Sequence, residues 1–426
     1  MSVKEVNTSN SEFTLQLTFK FNKSMLQGEM DILNTINMAG TLATEKLLKN
    51  FDADGSPIKI GNQTFTSKGL QGKDYQTPYG TARVERHIYQ SHSGGKTFCP
   101  LEEDARIIIT STPKFAQMTA SKYSQMSAPS VKADLANNHG RVVQNKLIQD
   151  VSEAVGTFLT AKEGTWNYDV PEFEEVIKGI SIGLDGTCMQ MKDDGWREAM
   201  TGTISLYNKF GDNMHTTYVA APPEYGKELF LNKFVNEIIR VKEKNPDVPT
   251  IGLADGAKAN WPFLNQHTDF QLIDFYHASE YIGKVGKAAY KDVKERESWI
   301  EDQCHKLKHN TGGASRLINE IKDLRKNIKK HEDKEAVDAA ISYFSNNDNE
   351  NRMQYYKYED SVLPIGSGAT EAACKVIVKQ RMCKSGMRWR NDGAQVVLAL
   401  RSSHETKGRW NQFWSKIDQY GFALAS

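Results

Sequence analysis

Apolar and polar residues alternate in "EFTLQLTFKF" (12–21), the two-residue period of a half-buried strand. "MLQGEMDILNTINMAGTLATEKLLKNF" (25–51) then shifts to the helical period. "IKIGNQTFTSKG" and "TARVERHIYQS" return to alternation between glycine-rich turns. Residues 1–100 therefore predict a small α+β module.

From 101 to 171 the pattern is helical. Pro113 and Pro129 suit first-turn positions, and Thr112 can cap the first helix. Ala128 is a poor cap, and Ser127 caps the second helix only if that helix begins one residue earlier. "SVKADLANN" and "HGRVVQNKLIQDVSEAVGTFL" then form two helices meeting near Gly140, a pairing that resembles a helix-turn-helix. In that reading Arg141, Gln144, Asn145 and Lys146 open a recognition helix; the plainer reading is a helical linker domain.

Residues 172–283 predict three strands, a helix, a strand, a helix and a strand. "GISIGLDG" alternates through Ile180, Ile182 and Leu184 and ends at Asp185. "KELFLNKFVNEIIRVKEK" sets Phe230, Phe234, Ile238 and Val241 on one helical face. "DVPTIGLADG" is a buried-type strand ending at Asp255, and "DFQLIDFYH" another ending near Asp274 and His277. Residues 284–360 are charged and helical and read as an insertion. Tyr355, Tyr356 and Tyr358 close it and can pack it onto the core or against DNA. Residues 361–426 return to capped helices, with Ser367 the expected N-cap of "ATEAACKVIVKQRM".

Composition narrows the chemistry. The chain has 426 residues, enough for roughly two to four domains. A formal net charge of +1 rules out a globally basic nucleic-acid binder but leaves local basic surfaces open. The five cysteines form no C-x-x-C pair, so neither a disulfide scaffold nor a cysteine zinc site is favoured. Cys304, His305 and His309 lack a second cluster of zinc ligands. "MSVKEVNTSNSEF" lacks the pattern of a signal peptide, and no apolar run reaches membrane-spanning length. A cytoplasmic protein without a membrane partner is expected.

Asp185 and Asp255 each close an apolar strand and precede a glycine. Singly, each is an ordinary turn residue. Together, at adjacent strand ends of an α/β sheet, they face one cleft. Their repulsion would be relieved by a divalent cation, and oxygen-only ligands favour Mg²⁺. Acids on the first and fourth strands of this element order suggest a ribonuclease H-like core, which needs a third acid from a later helix. Glu371 is the candidate: no other Asp or Glu lies between Asp360 and Asp392. The competing reading of Glu371 is a helical ion pair with Lys375.

The motifs "KDYQTPYGTARVERHIYQS", "TFCPLEEDARI", "ISIGLDGT", "GLADGAKANW", "IDFYHASEYI" and "PIGSGATEAACKVIVKQRMCKSGMRWR" resemble those of a bacterial insertion-sequence DDE transposase, most similar to the ISKra family. The likeness runs from about residue 70 to the end; the first 65 residues carry little of it. It implies an α/β ribonuclease H-like core interrupted by an all-helical insertion, preceded by the α+β module and the helix-turn-helix-like domain.

The resemblance also implies catalysis and metal binding by Asp185, Asp255 and Glu371. They would hold two Mg²⁺ ions, with Mn²⁺ as a substitute, for DNA cleavage at the element ends and strand transfer into target DNA during transposition. Asp274 and His277 match a D-x-x-H pair that orients the scissile phosphate; the plainer reading is a strand-end acid and a core histidine. Lys375 pairs with Glu371 or contacts phosphate. Lys379, Arg381, Lys384, Arg388 and Arg390 form a basic DNA-binding segment, with Trp389 stacking on a base or filling the core. The implied partners are double-stranded DNA and further copies of the chain, as a homodimer or higher oligomer on DNA, in a bacterial cytoplasm and at the nucleoid when acting. The alternatives are a DNA-binding protein that keeps the fold without the reaction, and a nuclease of that fold without strand transfer. A small-molecule α/β enzyme lacks any nucleotide loop here and leaves the insertion unexplained.

Overall fold

The computed structural model describes residues 2–8, 12–21, 23–224 and 227–422. The described residues form a mixed α/β structure in two units. The first runs to Tyr168 and includes Gln395–His404 and the residues from Arg409 on; the second is Asp169–Ala394 with Glu405–Gly408. The C-terminal helical residues thus group largely with the N-terminal unit, where the sequence pattern had joined all of 361–426 to the later core. Of that stretch, 423–426 lie outside the described residues. No helix among the described residues is long and apolar enough to cross a membrane.

In the first unit, β1 (Ser2–Thr8) and β2 (Phe13–Thr18) pair antiparallel. Helix α1 (Met25–Lys49) follows, capped by Ser24 Oγ, which accepts from Gln27 N. Strands β3 (Ile58–Ile60), β4 (Gln63–Gln76) and β5 (Thr81–Ser91) form an antiparallel sheet, with Ala82, Val84 and Ile88 of β5 turned inward. Four helices come next: α2 (Pro100–Asp104), α3 (Pro113–Gln125), α4 (Ala128–His139) and α5 (Asn145–Lys162). Thr112 stands at the cap position of α3, but its hydroxyl donates to the Gln76 carbonyl. Ser127 does cap α4, because that helix starts at Ala128 and holds Pro129 within its first turn.

The pairing of α4 and α5 departs from the expected helix-turn-helix. Gly140, in the left-handed conformation, ends α4, and α5 starts only at Asn145. Arg141 therefore lies in the connection. It is buried: Nε donates to the Thr77 carbonyl, an Nη group donates to Gln76 Oε1, and the guanidinium sits over the Phe115 ring. It holds this connection to the turn between β4 and β5 and cannot read DNA.

In the second unit, β6 (Gly179–Met191), β7 (Gly195–Tyr207) and β8 (Asn213–Ala221) form an antiparallel meander. Helix α6 (Glu228–Lys244) buries Phe230, Phe234, Ile238 and Val241, the face that the helical period marks. Strand β9 (Thr250–Ala254), helix α7 (Trp261–His267) and strand β10 (Phe270–Ile273) follow, both strands adding parallel. The resulting order is β10-β9-β6-β7-β8.

The helices α8 (Phe275–Ala289), α9 (Val293–His309), α10 (Gly313–Asn327) and α11 (His331–Asn349) do not make a core of their own. Leu307, Ile321, Val337 and Phe344 belong to the same apolar cluster as Ile180 and Leu253 of the sheet. Tyr281 of α8 stacks on Tyr343 of α11 with ring centroids 4.0 Å apart. Buried Tyr355 donates to the Ile273 carbonyl at 3.1 Å, closing the insertion onto the sheet. The chain ends with α12 (Gly368–Ala373), a π-helical turn (Cys374–Lys379), α13 (Gln380–Met382), α14 (Asn391–Glu405) and α15 (Arg409–Tyr420).

Candidate active site

The parallel register brings the strand-end acids level. Gly183 pairs with Leu253, so two residues further along each strand stand Asp185 and Asp255. Ala254 pairs with Ile273, so the next residues are Asp255 and Asp274. Three acids thus lie at one level across β6, β9 and β10. The expected strand end at Asp185 is a ladder end instead. β9 stops there, while β6 runs on to Met191 because its hairpin with β7 continues to Gly195.

Asp185 is partly buried. Gly186 N donates to its Oδ1 at 2.7 Å and Cys374 Sγ to its Oδ2 at 3.3 Å. Burial holds its carboxyl above the usual carboxylate range and the Asp255 charge pushes the same way, while the Cys374 and Gly186 hydrogen bonds oppose. Cys374 is itself buried, 2.9 Å from Thr201 Oγ1, and its thiol is pushed up to about 12 by burial and by Asp185. Sequence reasoning passed over Cys374; its only signal was its place three residues, or about one helical turn, after Glu371. Asp255 turns the chain, its Oδ1 accepting from Ala257 N at 3.0 Å.

Asp274, expected to orient a phosphate, is 1% exposed. Its Oδ1 caps α8 by accepting from Tyr276 N and His277 N, and its Oδ2 accepts from Ser367 N and Ser367 Oγ. These four donors saturate it, so it is a positioning residue that clips the start of α12 to β10. Ser367 stands at the N-cap position of α12, but its hydroxyl is spent on Asp274 and not on its own helix. His277 is in the first turn of α8, not on a strand. Its Nε2 lies 3.6 Å from Glu371 Oε1 and its Nδ1 3.6 Å from Glu280.

Glu371 sits in the first turn of α12 and is partly exposed. Burial raises its carboxyl above the usual range, the Asp274 and Asp185 charges add to this, and His277 opposes. The ion pair with Lys375 does not form: the basic side chain within 4 Å of Glu371 is the His277 imidazole, and Lys375 is exposed. The π-helical turn begins immediately before Lys375 and changes the helical spacing there. Among the described residues no three His, Cys, Asp or Glu side chains gather closely enough to hold a metal ion. The donor chemistry nevertheless fits a divalent cation at the Asp185–Asp255 pair. Two oxygen ligands stand level, and one of them resists ionisation partly because of the other.

Close approach of α12 to the sheet depends on Gly183. A Cβ there would lie 2.1 Å from Thr370 Oγ1, which is also 2.7 Å from Thr203 Oγ1. Gly183→Val is expected to destabilise the fold by about 1–3 kcal/mol in urea titrations through overpacking, and to lift Glu371 from the sheet. Unchanged stability would show that α12 is not tightly seated.

The raised carboxyls of Asp185 and Glu371 also set a pH dependence. Between the ordinary carboxylate range and their folded-state values the native state binds more protons than the unfolded chain. Stability therefore falls as pH rises through that interval. Asp185→Asn is expected to raise Tm by a few degrees at pH 7 and to leave it unchanged or lower at pH 3. A variant with lower Tm at both pH values would refute the repulsion.

Of the expected DNA-contacting residues, Gln144, Asn145 and Lys146 are exposed at the start of α5, with Lys146 paired to Asp150. Lys379, Lys384, Arg388 and Arg390 are exposed as well. Arg381 is not: it is 2% exposed and lies over the Trp389 ring, centroid 5.3 Å away. Trp389 Nε1 donates to the Met382 carbonyl, and its backbone bridges to Met191 at the far end of β6. The two side chains brace this segment together. No protein-family model and no curated protein matches the chain.

Proposed function

We propose that the second unit is the ribonuclease H-like catalytic core of a DNA transposase that cleaves DNA at insertion-sequence ends and transfers strands by a metal-dependent DDE mechanism. The strand order β10-β9-β6-β7-β8, with β7 running opposite to the other four strands, supports this fold. The observation that carries the reading is the common level of Asp185 and Asp255, with the Glu371 helix clipped to the same sheet end through Asp274.

Asp185 and Asp255 would hold the divalent ions, with Glu371 completing the set. Bound there, Mg²⁺ supplies activation of the attacking water or 3′-hydroxyl and stabilisation of the leaving oxygen in an in-line displacement. The chain's own contribution is placement. Cys374 and Gly186 N fix the Asp185 carboxylate, the turn at Ala257 fixes Asp255, and His277 holds Glu371. Exposed Lys379, Lys384, Arg388 and Arg390 offer cations to DNA phosphate.

One observation favours the second reading, a DNA-binding protein or nuclease without transposition: Glu371 is not gathered with the two aspartates into a three-residue cage. The two readings part on labelled linear DNA that carries the chain's gene with both flanks, incubated with Mg²⁺. End cleavage plus joined products supports transposition, and cleavage without joining supports a nuclease. Specific binding with no strand breakage in Mg²⁺ or Mn²⁺ would remove the enzyme reading.

A further inference from the structure

Two tyrosines from the 284–360 insertion donate to carbonyls at neighbouring strand ends. Tyr355 reaches the carbonyl of Ile273, the last residue of β10. Tyr343 of α11 reaches the Asp255 carbonyl at 3.4 Å, one residue past the end of β9. At the end of the β9–β10 ladder, Asp274 N donates to the Ala254 carbonyl at 3.0 Å. The Asp255 carbonyl is the next along the chain. It has left the ladder, and its donor comes from the insertion.

The same ring also supports the turn from below. Gly256 adopts a φ of 106°, and a Cβ there would lie 2.7 Å from Tyr343 Cε2. The ring therefore packs directly on the backbone next to Asp255. Beyond Gly256 the turn is open, with Ala257, Lys258 and Ala259 exposed. The insertion in turn fixes the ring. Its face stacks on Tyr281 of α8 with an interplanar angle of 12°, and it stands edge-on to buried Phe344 at 5.4 Å. A ring held on a face and an edge keeps its hydroxyl in one place. A half-buried phenol takes some acceptor in any fold. Here the acceptor is the backbone of a candidate metal ligand, and the ring closes on the residue after it.

We infer that Tyr343 is a positioning residue: through it the helical insertion fixes the Asp255 turn and sets how tightly that carboxylate takes a divalent cation. The inference rests on the metal reading of Asp185 and Asp255 proposed above. Two measurements on the full chain test it, without DNA and without any activity readout. One is amide hydrogen exchange by mass spectrometry over 254–261. The other is Mn²⁺ uptake, followed by the electron paramagnetic resonance signal of the free ion. Wild type is compared with Tyr343→Phe, Tyr343→Leu and Asp255→Asn. Phe keeps the ring and loses the donor; Leu loses both. Faster exchange confined to 254–261 is expected, larger for Leu than for Phe. The Mn²⁺ dissociation constant is expected to rise by about 10-fold in Phe and more in Leu, within the roughly 10–100-fold range for loss of an outer-shell partner. Should Leu be unfolded by circular dichroism, Phe alone decides. Unchanged exchange in the Tyr343 variants overturns the inference. So does faster exchange with unchanged Mn²⁺ affinity, which would leave Tyr343 a packing residue. Uptake that Asp255→Asn lowers but neither Tyr343 variant does overturns this inference alone. A wild type that takes up no Mn²⁺ overturns the metal reading and this inference with it.

Discussion

If the second unit cleaves DNA as proposed, Glu371→Gln is expected to abolish strand cleavage in Mg²⁺ and to leave DNA affinity within about two-fold of wild type. The expected loss is on the order of 10³-fold or more, the scale on which removal of one member of a catalytic unit acts. The substitution keeps the shape of the side chain and removes its charge. Because Glu371 is partly exposed and held by a 3.6 Å contact to His277, not by a buried network, the fold tolerates the change. Single-turnover cleavage and a parallel gel-shift titration measure the two quantities. Cleavage that survives would return Glu371 to the rank of an ordinary helix-surface acid. Binding lost together with cleavage would point to a structural role.

Asp274→Ala is the second large effect, and it is on stability. The carboxylate is 1% exposed and accepts from Tyr276 N, His277 N, Ser367 N and Ser367 Oγ. Truncation removes the cap of α8, worth about 1 kcal/mol. It also leaves the Ser367 donors buried beside a void, at about 1–3 kcal/mol for an unsatisfied group. A loss of about 3 kcal/mol in chemical denaturation is expected, with cleavage falling because α12 loses its anchor. Asp274→Asn should recover part of the stability by keeping one carbonyl acceptor. A loss under about 1 kcal/mol would mean that Ser367 and α8 find other partners.

The elements were largely legible in the sequence because periodicity reports burial. The face of α6 built from Phe230, Phe234, Ile238 and Val241 follows directly from the helical period. The boundaries that failed were set by partners far along the chain. "HGRVVQNKLIQD" has helical composition from His139, yet α5 starts at Asn145 because Arg141 is pulled into contact with Gln76 and Thr77. Arg381 failed for the same reason. A run of cations suggests a solvated face, and only packing against Trp389 shows that one of them is inside.

At the candidate site, the sequence by itself determined the chemistry on offer: two acids after apolar strands and one isolated acid in a basic helical segment. It could not determine register. A parallel pairing shifted by one residue would put Asp185 and Asp255 on opposite faces, and nothing local in "GLDG" or "LADG" fixes that choice. Tertiary structure decided it through the pairing of Gly183 with Leu253 and the seat that Gly183 leaves for Thr370. It also divided the acids by role. Asp274 is spent on four internal donors, while Asp185 and Glu371 keep carboxyls that burial and like charge make harder to ionise. Local sequence sets what a residue can do; its desolvation and its neighbours, contributed from distant parts of the chain, set what it is left free to do.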